Sequence, residues 1–267
     1  MFFFKKKPTV ALVRLSGVIG NIGRFQQGMN LSSVSETIKK AFALKGAKAV
    51  AISINSPGGS PVQSNLIYNL IREQAKEKKV SVITYAEDVA ASGGYMLLCA
   101  GDEVYANANS IVGSIGVIYS AFGFKELIKK IGVERRVHTA GESKNILDPF
   151  LDEKKEDIEK LKNLQKDLHE EFINLVKESR KNKLKPENYS SLFSGEFWSG
   201  KKSMQLGLVD GVGILSDILK EKFGKDVKIK KFEKPQGFLQ RKLSGANIAS
   251  DFMDEIEVRA MWNRFGL

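Results

Sequence analysis

Hydrophobic positions in the first half of the chain follow two alternating periods. Apolar, β-rich runs at residues 9–15, 49–54 and 80–85 indicate strands, and the run at 49–54 is of the kind that is buried on both faces. Residues 61–78 instead place apolar side chains at three- and four-residue intervals, which indicates a helix. Strands that alternate with helices are joined by right-handed crossovers and lie parallel. The pattern therefore predicts an α/β fold with a mostly parallel sheet.

The same pattern predicts how the first helices begin and pack. Ser33-Val34-Ser35-Glu36 has the form of a capping box, so we expect a helix that begins there and ends near Leu44. The helix over residues 61–78 is expected to turn one apolar stripe towards the core. This stripe comprises Val62, Leu66, Leu70 and Ile71.

The second half of the chain predicts short elements and one long amphipathic helix. Asp152 is a candidate cap for that helix, which should continue to about residue 181 because apolar residues recur along an otherwise charged segment. A shorter helix is expected at residues 124–131. Further strands are expected at residues 103–106, 114–119 and 135–139.

We divide the chain into three segments. Residues 1–8 form a basic and aromatic N-terminal tail, and residues 9–232 form one domain. Residues 233–267 form a C-terminal tail that is amphipathic at 248–265. This tail could pack on the domain, bridge subunits of an oligomer or stay disordered.

The net charge and the N-terminal sequence limit the partners and the location that we expect. The chain has 267 residues and a net charge of +11, but its lysines are spread over helical surfaces, so we expect no nucleic-acid partner. Three phenylalanines precede three lysines at the N-terminus, which is the reverse of the order in a signal peptide. No apolar run reaches the roughly 18 residues of a spanning helix. We therefore expect a bacterial-type protein that is cytoplasmic or peripherally associated with a membrane.

The composition also argues against cofactor chemistry. A single cysteine, Cys99, allows neither an intramolecular disulfide nor a cysteine-based metal cluster. Two scattered histidines make a zinc site improbable. We expect no metal and no cofactor.

Candidate chemistry lies in two turns that follow neighbouring strands. Asn55-Ser56-Pro57-Gly58-Gly59-Ser60 leaves the strand at 49–54, and its glycines leave backbone N–H groups unshielded, as an oxyanion hole requires. Ser92 follows the strand at 80–85, among small residues where a helix should begin. Parallel strands bring both turns to one edge of the sheet, where ligands bind. Ser92 is thus a candidate nucleophile, although a serine at a helix start is more often a cap.

A nucleophilic serine needs a base, and the residues leave two kinds of base open. His138 lies in a strand-like run with no evident aspartate to orient it, and His169 lies on the long charged helix. Lys144 lies in the loop Gly141–Phe150, with apolar residues after it. A lysine accepts a proton only when it is neutral, so its pKa must fall by roughly 3 units from about 10.4, which burial can cause.

The ordered set of motifs resembles a known family. Together the motifs are similar to those of the SppA-type signal peptide peptidases, serine proteases with a Ser/Lys dyad and a ClpP/crotonase-like fold. The resemblance covers roughly Thr9 to Leu215. The segments that carry it are Asn55–Ser60, Ala90–Tyr95, Val112–Val117, Gly141–Phe150, Phe197–Lys202 and Gly207–Asp210.

The resemblance implies roles for five residues. Ser92 would be the nucleophile and Lys144 the general base, with Ser114 orienting the lysine amine. Backbone N–H groups of Gly59 and Gly93 would form the oxyanion hole. The fold implied is α/β, with repeated β-β-α and βαβ units, a mostly parallel sheet and the long helix after the lysine loop. Family members assemble into rings or domes, so a homo-oligomer is expected.

The leading hypothesis is therefore a serine endopeptidase that cleaves signal-peptide-like or unfolded polypeptide segments. Two alternatives stay open: an acyl-CoA enzyme of the crotonase type, and a catalytically silent scaffold associated with a membrane. Many family members carry an N-terminal membrane anchor, and we expect none here. Contact with a membrane surface would then be peripheral.

Overall fold

The computed structural model describes residues 7–21, 28–141, 143–233, 256 and 258–267. Contacts divide the chain into two compact units. The larger unit comprises Met1–Gly116 and Ile173–Leu267, and the smaller unit comprises Val117–Phe172.

The larger unit is built on one sheet. Its strands are β1 (Thr9–Ser16), β2 (Ala47–Ser56), β3 (Ser81–Ala91), β4 (Glu103–Ala106), β5 (Ile111–Gly113), β6 (Phe197–Ser199), β7 (Gly211–Val212) and β8 (Lys228–Phe232). Within the described residues their order is β6-β5-β3-β2-β1-β8, with β4 beside β3 and β7 beside β4. Neighbouring strands run parallel, except for the antiparallel pair β5 and β6.

Helices connect most of these strands. They are α1 (Leu31–Phe42), α2 (Pro61–Lys78), α3 (Gly93–Leu98), α4 (Lys125–Lys130), α5 (Lys155–Arg180), α6 (Tyr189–Leu192), α7 (Gly200–Gln205) and α8 (Leu215–Phe223). Of these, α4 belongs to the smaller unit, and α5 begins in the smaller unit and ends in the larger one.

Central strands of the sheet are apolar because both of their faces are covered. Every residue of β2 from Ala49 to Ser56 is buried. Ala49 and Ala51 pack with Val10 of β1, Ile83 of β3 and Leu219 of α8 in one cluster. This architecture confirms the predicted α/β fold with its mostly parallel sheet and long helix. The strands predicted at 9–15, 49–54, 80–85 and 103–106 are all present.

The predicted start of α1 is wrong. The helix begins at Leu31 and is capped by Asn30, whose Oδ1 accepts the Ser33 N–H at 2.9 Å. The Ser33 hydroxyl in turn accepts the Asn30 N–H at 3.0 Å, so the capping box joins these two residues. Ser33 lies inside the first turn because an asparagine three residues earlier provides a reciprocal cap.

The predicted inner stripe of α2 is half correct. Leu70 and Ile71 are buried, but Val62 and Leu66 are 62% and 39% exposed. The buried face runs instead through Ser64, Ile67, Leu70, Ile71, Gln74 and Ala75. The first turn of α2 therefore presents a small polar residue to the protein, which apolar periodicity does not detect.

Two predicted strands are absent from the described residues. The chain forms β5 at Ile111–Gly113 and then turns, because Gly113 and Ser114 adopt φ of +119° and +53°, so no strand covers 114–119. Residues 135–139 of the smaller unit have no regular structure. Asp152 does not cap α5, which begins three residues later; its carboxylate accepts a hydrogen bond from Lys125 instead.

Only part of the C-terminal tail falls within the described residues, since 234–255 and 257 lie outside them. Residues 258–263 are helical. Phe265 is buried against Val89 and Ala91 of β3, together with Trp262. The end of the tail therefore packs on the sheet of the larger unit.

Candidate active site

The glycine turn after β2 is held by a short stretch of chain that follows β1. Ile19 donates its N–H to the Gly58 carbonyl at 2.8 Å, and its own carbonyl accepts the Ser60 N–H at 2.7 Å. Gly59, between these two bonds, has φ of +141°, and a Cβ there would lie 2.0 Å from the Ile19 oxygen. Only glycine fits, and in this parallel bridge the Gly59 N–H points away from Ile19.

Ser92 occupies a strained turn between β3 and α3. Its φ of 53° and ψ of −122° are sparsely populated by residues with a Cβ, at a cost of about 1–3 kcal/mol. Its main chain is fixed on both sides: the N–H donates to the Gly113 carbonyl at 2.8 Å, and the carbonyl accepts the Met96 N–H at 3.0 Å. The Ser92 side chain makes no capping hydrogen bond with α3. The hydroxyl is therefore not used as a cap.

The glycine turn and the serine turn touch each other. A Cβ on Gly58 would lie 2.8 Å from the Ser92 Cβ and 2.9 Å from the Gly93 nitrogen. A Cβ on Gly93 would lie 2.3 Å from the Ser64 hydroxyl, which explains why a small residue of α2 faces this point. As the first residue of α3, Gly93 has an N–H without an intrahelical acceptor.

Ser114 lies beside the serine turn. It directly follows Gly113, the residue that accepts the Ser92 N–H, and it is 4% exposed. Its own N–H donates to the Glu196 carbonyl at 2.6 Å. A Cβ on Gly113 would lie 2.9 Å from the Trp198 ring, so this turn also requires glycine. The larger unit thus brings Ser92, Gly59, Gly93 and Ser114 together.

Lys144 belongs to the smaller unit. Its side chain is exposed there, and its N–H donates to the Gly141 carbonyl at 3.2 Å, which closes a turn. Asp148 fixes the rest of the loop by accepting the Phe150 N–H at 3.0 Å and the Arg135 guanidinium at 3.0 Å. The Phe150 N–H and the Arg135 charge together lower the pKa of Asp148.

Neither histidine joins the serine turn within the larger unit, because both belong to the smaller one. His138 is exposed in an irregular segment, and His169 lies on α5. In the described part of the chain no group of three or more His, Cys, Asp or Glu residues could hold a metal ion.

No role for Ile19 followed from the sequence, which placed Gly58 in the glycine turn without indicating its contact with Ser92. Ile19 supports the glycine turn through its main chain, and Gly58 gives the serine turn the space that it needs. A signal for Ile19 exists in its flanking residues Gly17 and Gly20, which interrupt the chain soon after β1 and both have positive φ.

In this site a serine hydroxyl on a tight turn lies beside backbone N–H groups of glycine residues. Enzymes that transfer acyl groups through a serine nucleophile have this arrangement. Comparison with known proteins narrows this class. The model of peptidase family S49 matches residues 74–230, and the chain therefore belongs to peptidase family S49. This confirms the resemblance to the SppA-type signal peptide peptidases.

Individual relatives agree with the family. The chain is 35% identical over 175 residues to a putative protease of Methanocaldococcus jannaschii. The aligned residues cover 65% of this chain and 55% of the relative. It is 29% identical over 216 residues to the putative signal peptide peptidase SppA of Enterococcus faecium, and this alignment covers 78% of this chain and 61% of the relative.

A further similarity is to a much longer protein. The chain is 50% identical over 273 residues to a protein of Brucella abortus named Na(+)/H(+) antiporter NhaA. This alignment covers 97% of this chain but 37% of that protein. The chain thus spans from about a third to three fifths of the length of these relatives. None of the helices in the described residues is long and apolar enough to cross a membrane.

Proposed function

We propose that this protein is a serine endopeptidase that cleaves signal-peptide-like or unfolded polypeptide segments through a Ser92/Lys144 dyad. The observation that carries the proposal is the serine turn: a strained Ser92, whose hydroxyl does not cap α3, lies against the turn of Gly58 and Gly59. Membership in peptidase family S49 supports the reaction class.

The proposed reaction is acyl transfer in two halves. The Ser92 hydroxyl oxygen attacks the peptide carbonyl carbon while the neutral Lys144 amine takes the hydroxyl proton. The negative oxygen that develops accepts hydrogen bonds from the N–H groups of Gly59 and Gly93. When the C–N bond breaks, the lysine ammonium returns the proton to the leaving amine and an ester on Ser92 remains. Water then attacks the ester carbonyl carbon while the same lysine takes a proton from it. The C–O bond to Ser92 breaks, the peptide leaves with a new carboxyl group, and the lysine returns the proton to the Ser92 oxygen.

Ser114 has a supporting role in this proposal. Its buried hydroxyl lies one residue beyond Gly113, whose carbonyl fixes the Ser92 main chain. A hydroxyl at this position would accept a hydrogen bond from the Lys144 amine and so orient its lone pair towards Ser92. No metal or cofactor takes part in the proposed chemistry.

We also propose that the protein acts as a homo-oligomer. The smaller unit exposes many large apolar side chains for its size, and such patches mark interaction surfaces. A second copy of the chain would cover them, and closed symmetry would produce a ring or dome. These side chains are Ile118, Tyr119, Phe122, Leu127, Ile131, Val133, Val137, Ile146, Leu151, Leu164 and Leu168. Peripheral contact with a membrane stays a prediction, because residues 1–6 lie outside the described part.

The test compares cleavage of an unfolded protein by matched variants. Ser92→Ala, Lys144→Ala and the still cationic Lys144→Arg should each lower kcat/KM by about 10³-fold or more, because each removes the nucleophile or the base. Ser194→Ala and Lys129→Ala change an exposed serine and an exposed lysine elsewhere and should retain activity. Cleavage by Ser92→Ala at the wild-type rate would contradict the proposal.

A further inference from the structure

The strand that leads to Ser92 contains a two-residue bulge. Along the β2–β3 ladder Ile54 pairs with Ala86, but Ser56 pairs with Ala90, so β3 advances four residues while β2 advances two. Before the bulge the outer neighbour of β3 is β4, and after it the neighbour is β5. The bulge therefore redirects β3 just before the serine turn.

One side chain of β2 replaces the ladder bonds that the bulge removes. The Asn55 side-chain oxygen accepts the buried N–H of Val89 at 3.1 Å, and its amide nitrogen donates to the Asp88 carboxylate at 2.8 Å. The main-chain carbonyl of Asn55 is occupied elsewhere, since it accepts the Gly17 N–H at 2.9 Å. The amide carries its acceptor oxygen and its donor nitrogen on two separate atoms, so Asn55 makes both bonds at once.

Ser53, two residues earlier and on the same face of β2, holds the other bulged residue. Its hydroxyl donates to the Glu87 carboxylate at 2.7 Å, and Arg14 of β1 binds the same carboxylate. Ser53 and Asn55 are both buried, at 4% and 9% exposed. Of the residues they hold, Val89 is fully buried, whereas Glu87 is partly exposed and Asp88 is exposed. The contact of Asn55 with Val89 is thus the one that is closed to water.

Fixing Val89 sets the register that places the nucleophile. Val89 pairs with Ile111, and two residues later Ala91 pairs with Gly113, whose carbonyl accepts the Ser92 N–H. Asn55 also stands three residues before Gly58, which touches the Ser92 Cβ position. The Asn55 side chain therefore connects two segments of the sheet: the end of β2, which leads to the oxyanion-hole glycine, and the end of β3, which leads to the serine.

From this geometry we infer that Asn55 is a positioning residue, which holds the Ser92 turn in register with the Gly59 amide through its hydrogen bond to Val89. The inference rests on the proposed peptidase activity through Ser92. Asn55 touches neither substrate nor the reacting atoms in this account. It acts on the distance between the nucleophile and the oxyanion hole, and a shift of about 1 Å there can cost about 10²-fold in rate.

The test is a set of variants assayed for peptide cleavage well below their melting temperatures. Asn55→Leu removes both hydrogen bonds at similar volume, and kcat should fall by about 10²-fold with KM within about threefold. Asn55→Asp combined with Asp88→Asn keeps an acceptor for Val89 and reverses the second bond, so kcat should recover to within about tenfold of wild type. Asp88→Ala, which removes only the exposed partner, should cost less than about threefold.

The outcomes are distinct. A kcat that falls in Asn55→Leu and recovers in the double variant supports the positioning role. Substitution of a purely structural residue would lower the melting temperature and leave the kcat of the folded enzyme unchanged. A kcat of Asn55→Leu within about threefold of wild type overturns it, as does a double variant no faster than Asn55→Leu. If Asn55→Leu does not fold, Asn55→Ser, too short to reach Val89, is judged by the same limits. Full activity of Ser92→Ala would instead overturn the underlying function.

Discussion

Arg180, at the C-terminal end of α5, offers the sharpest test of what stabilises the larger unit. The side chain is 1% exposed, and its guanidinium donates to Asp210 at 2.6 Å. The other oxygen of Asp210 accepts the Val104 N–H at 2.9 Å, so this carboxylate links α5 to β4. Asp210→Ala would leave a buried cation without its counter-charge and a main-chain donor without its acceptor.

The magnitude follows from these contacts. Removing one partner of a buried ion pair costs about 3–5 kcal/mol, because the remaining charge stays buried. Lys183 also contacts Asp210, at 2.7 Å, but it is 47% exposed and can turn to water. We therefore expect the free energy of unfolding to fall by about 3–5 kcal/mol, and the melting temperature by about 10 °C.

Chemical and thermal unfolding of Asp210→Ala and Asp226→Ala measure this directly. Asp226 forms an ion pair with Lys7 in which both side chains are more than half exposed, so its loss should cost less than about 1 kcal/mol. A melting temperature of Asp210→Ala that matches the Asp226→Ala control would refute the reasoning.

The stabilisation that Asp210 provides should also depend on pH. Burial alone would raise the pKa of Asp210, but the hydrogen bonds and charges of Arg180 and Lys183 outweigh it, and the pKa is lowered. A lowered pKa in the folded state means that the stabilisation is fully present above the unfolded value of about 3.9 and disappears as pH falls through the folded pKa. The stability difference between wild type and Asp210→Ala should thus shrink below about pH 4. A difference that grows on acidification would contradict the assignment.

Two further predictions concern the site and the assembly. Gly59→Ala should lower kcat by about 10²-fold or more, because its Cβ would lie 2.0 Å from the Ile19 oxygen and displace the oxyanion-hole amide; an unchanged kcat would remove Gly59 from the mechanism. Ile131→Glu, at a side chain 65% exposed in the smaller unit, should reduce the mass in light scattering towards that of a monomer. Lys129→Glu, in the last turn of α4, should not, and equal masses for both variants would contradict the proposed surface.

Local patterns predicted β1, β2 and the two ends of α2 well, because the signals for these features lie in neighbouring residues. β1 and β2 are largely apolar at residues 10–13 and 49–54. Ser60 caps α2, and Pro61 at its first position has no N–H to satisfy. These signals need no knowledge of the rest of the fold.

Features that depend on distant partners could not be predicted in this way. The register of the bulge depends on Asn55 binding Val89, 34 positions away along the chain, and the exposure of Val62 depends on what α2 meets. Glu87 and Asp88, two acids inside an apolar strand, were a usable signal, since charges there require partners. The family motifs carry the four candidate site residues of the larger unit, and their roles, like that of Lys144, stay predictions.

The central claim is that Ser92 is a nucleophile activated by Lys144, and mapping a covalent adduct tests it most directly. The protein is treated with a fluorophosphonate, digested and analysed by mass spectrometry. We expect one modified residue, Ser92, with labelling slowed by about 10²-fold or more in Lys144→Ala and unchanged in Lys129→Ala. An adduct on another residue, or labelling of Lys144→Ala at the wild-type rate, would contradict the dyad.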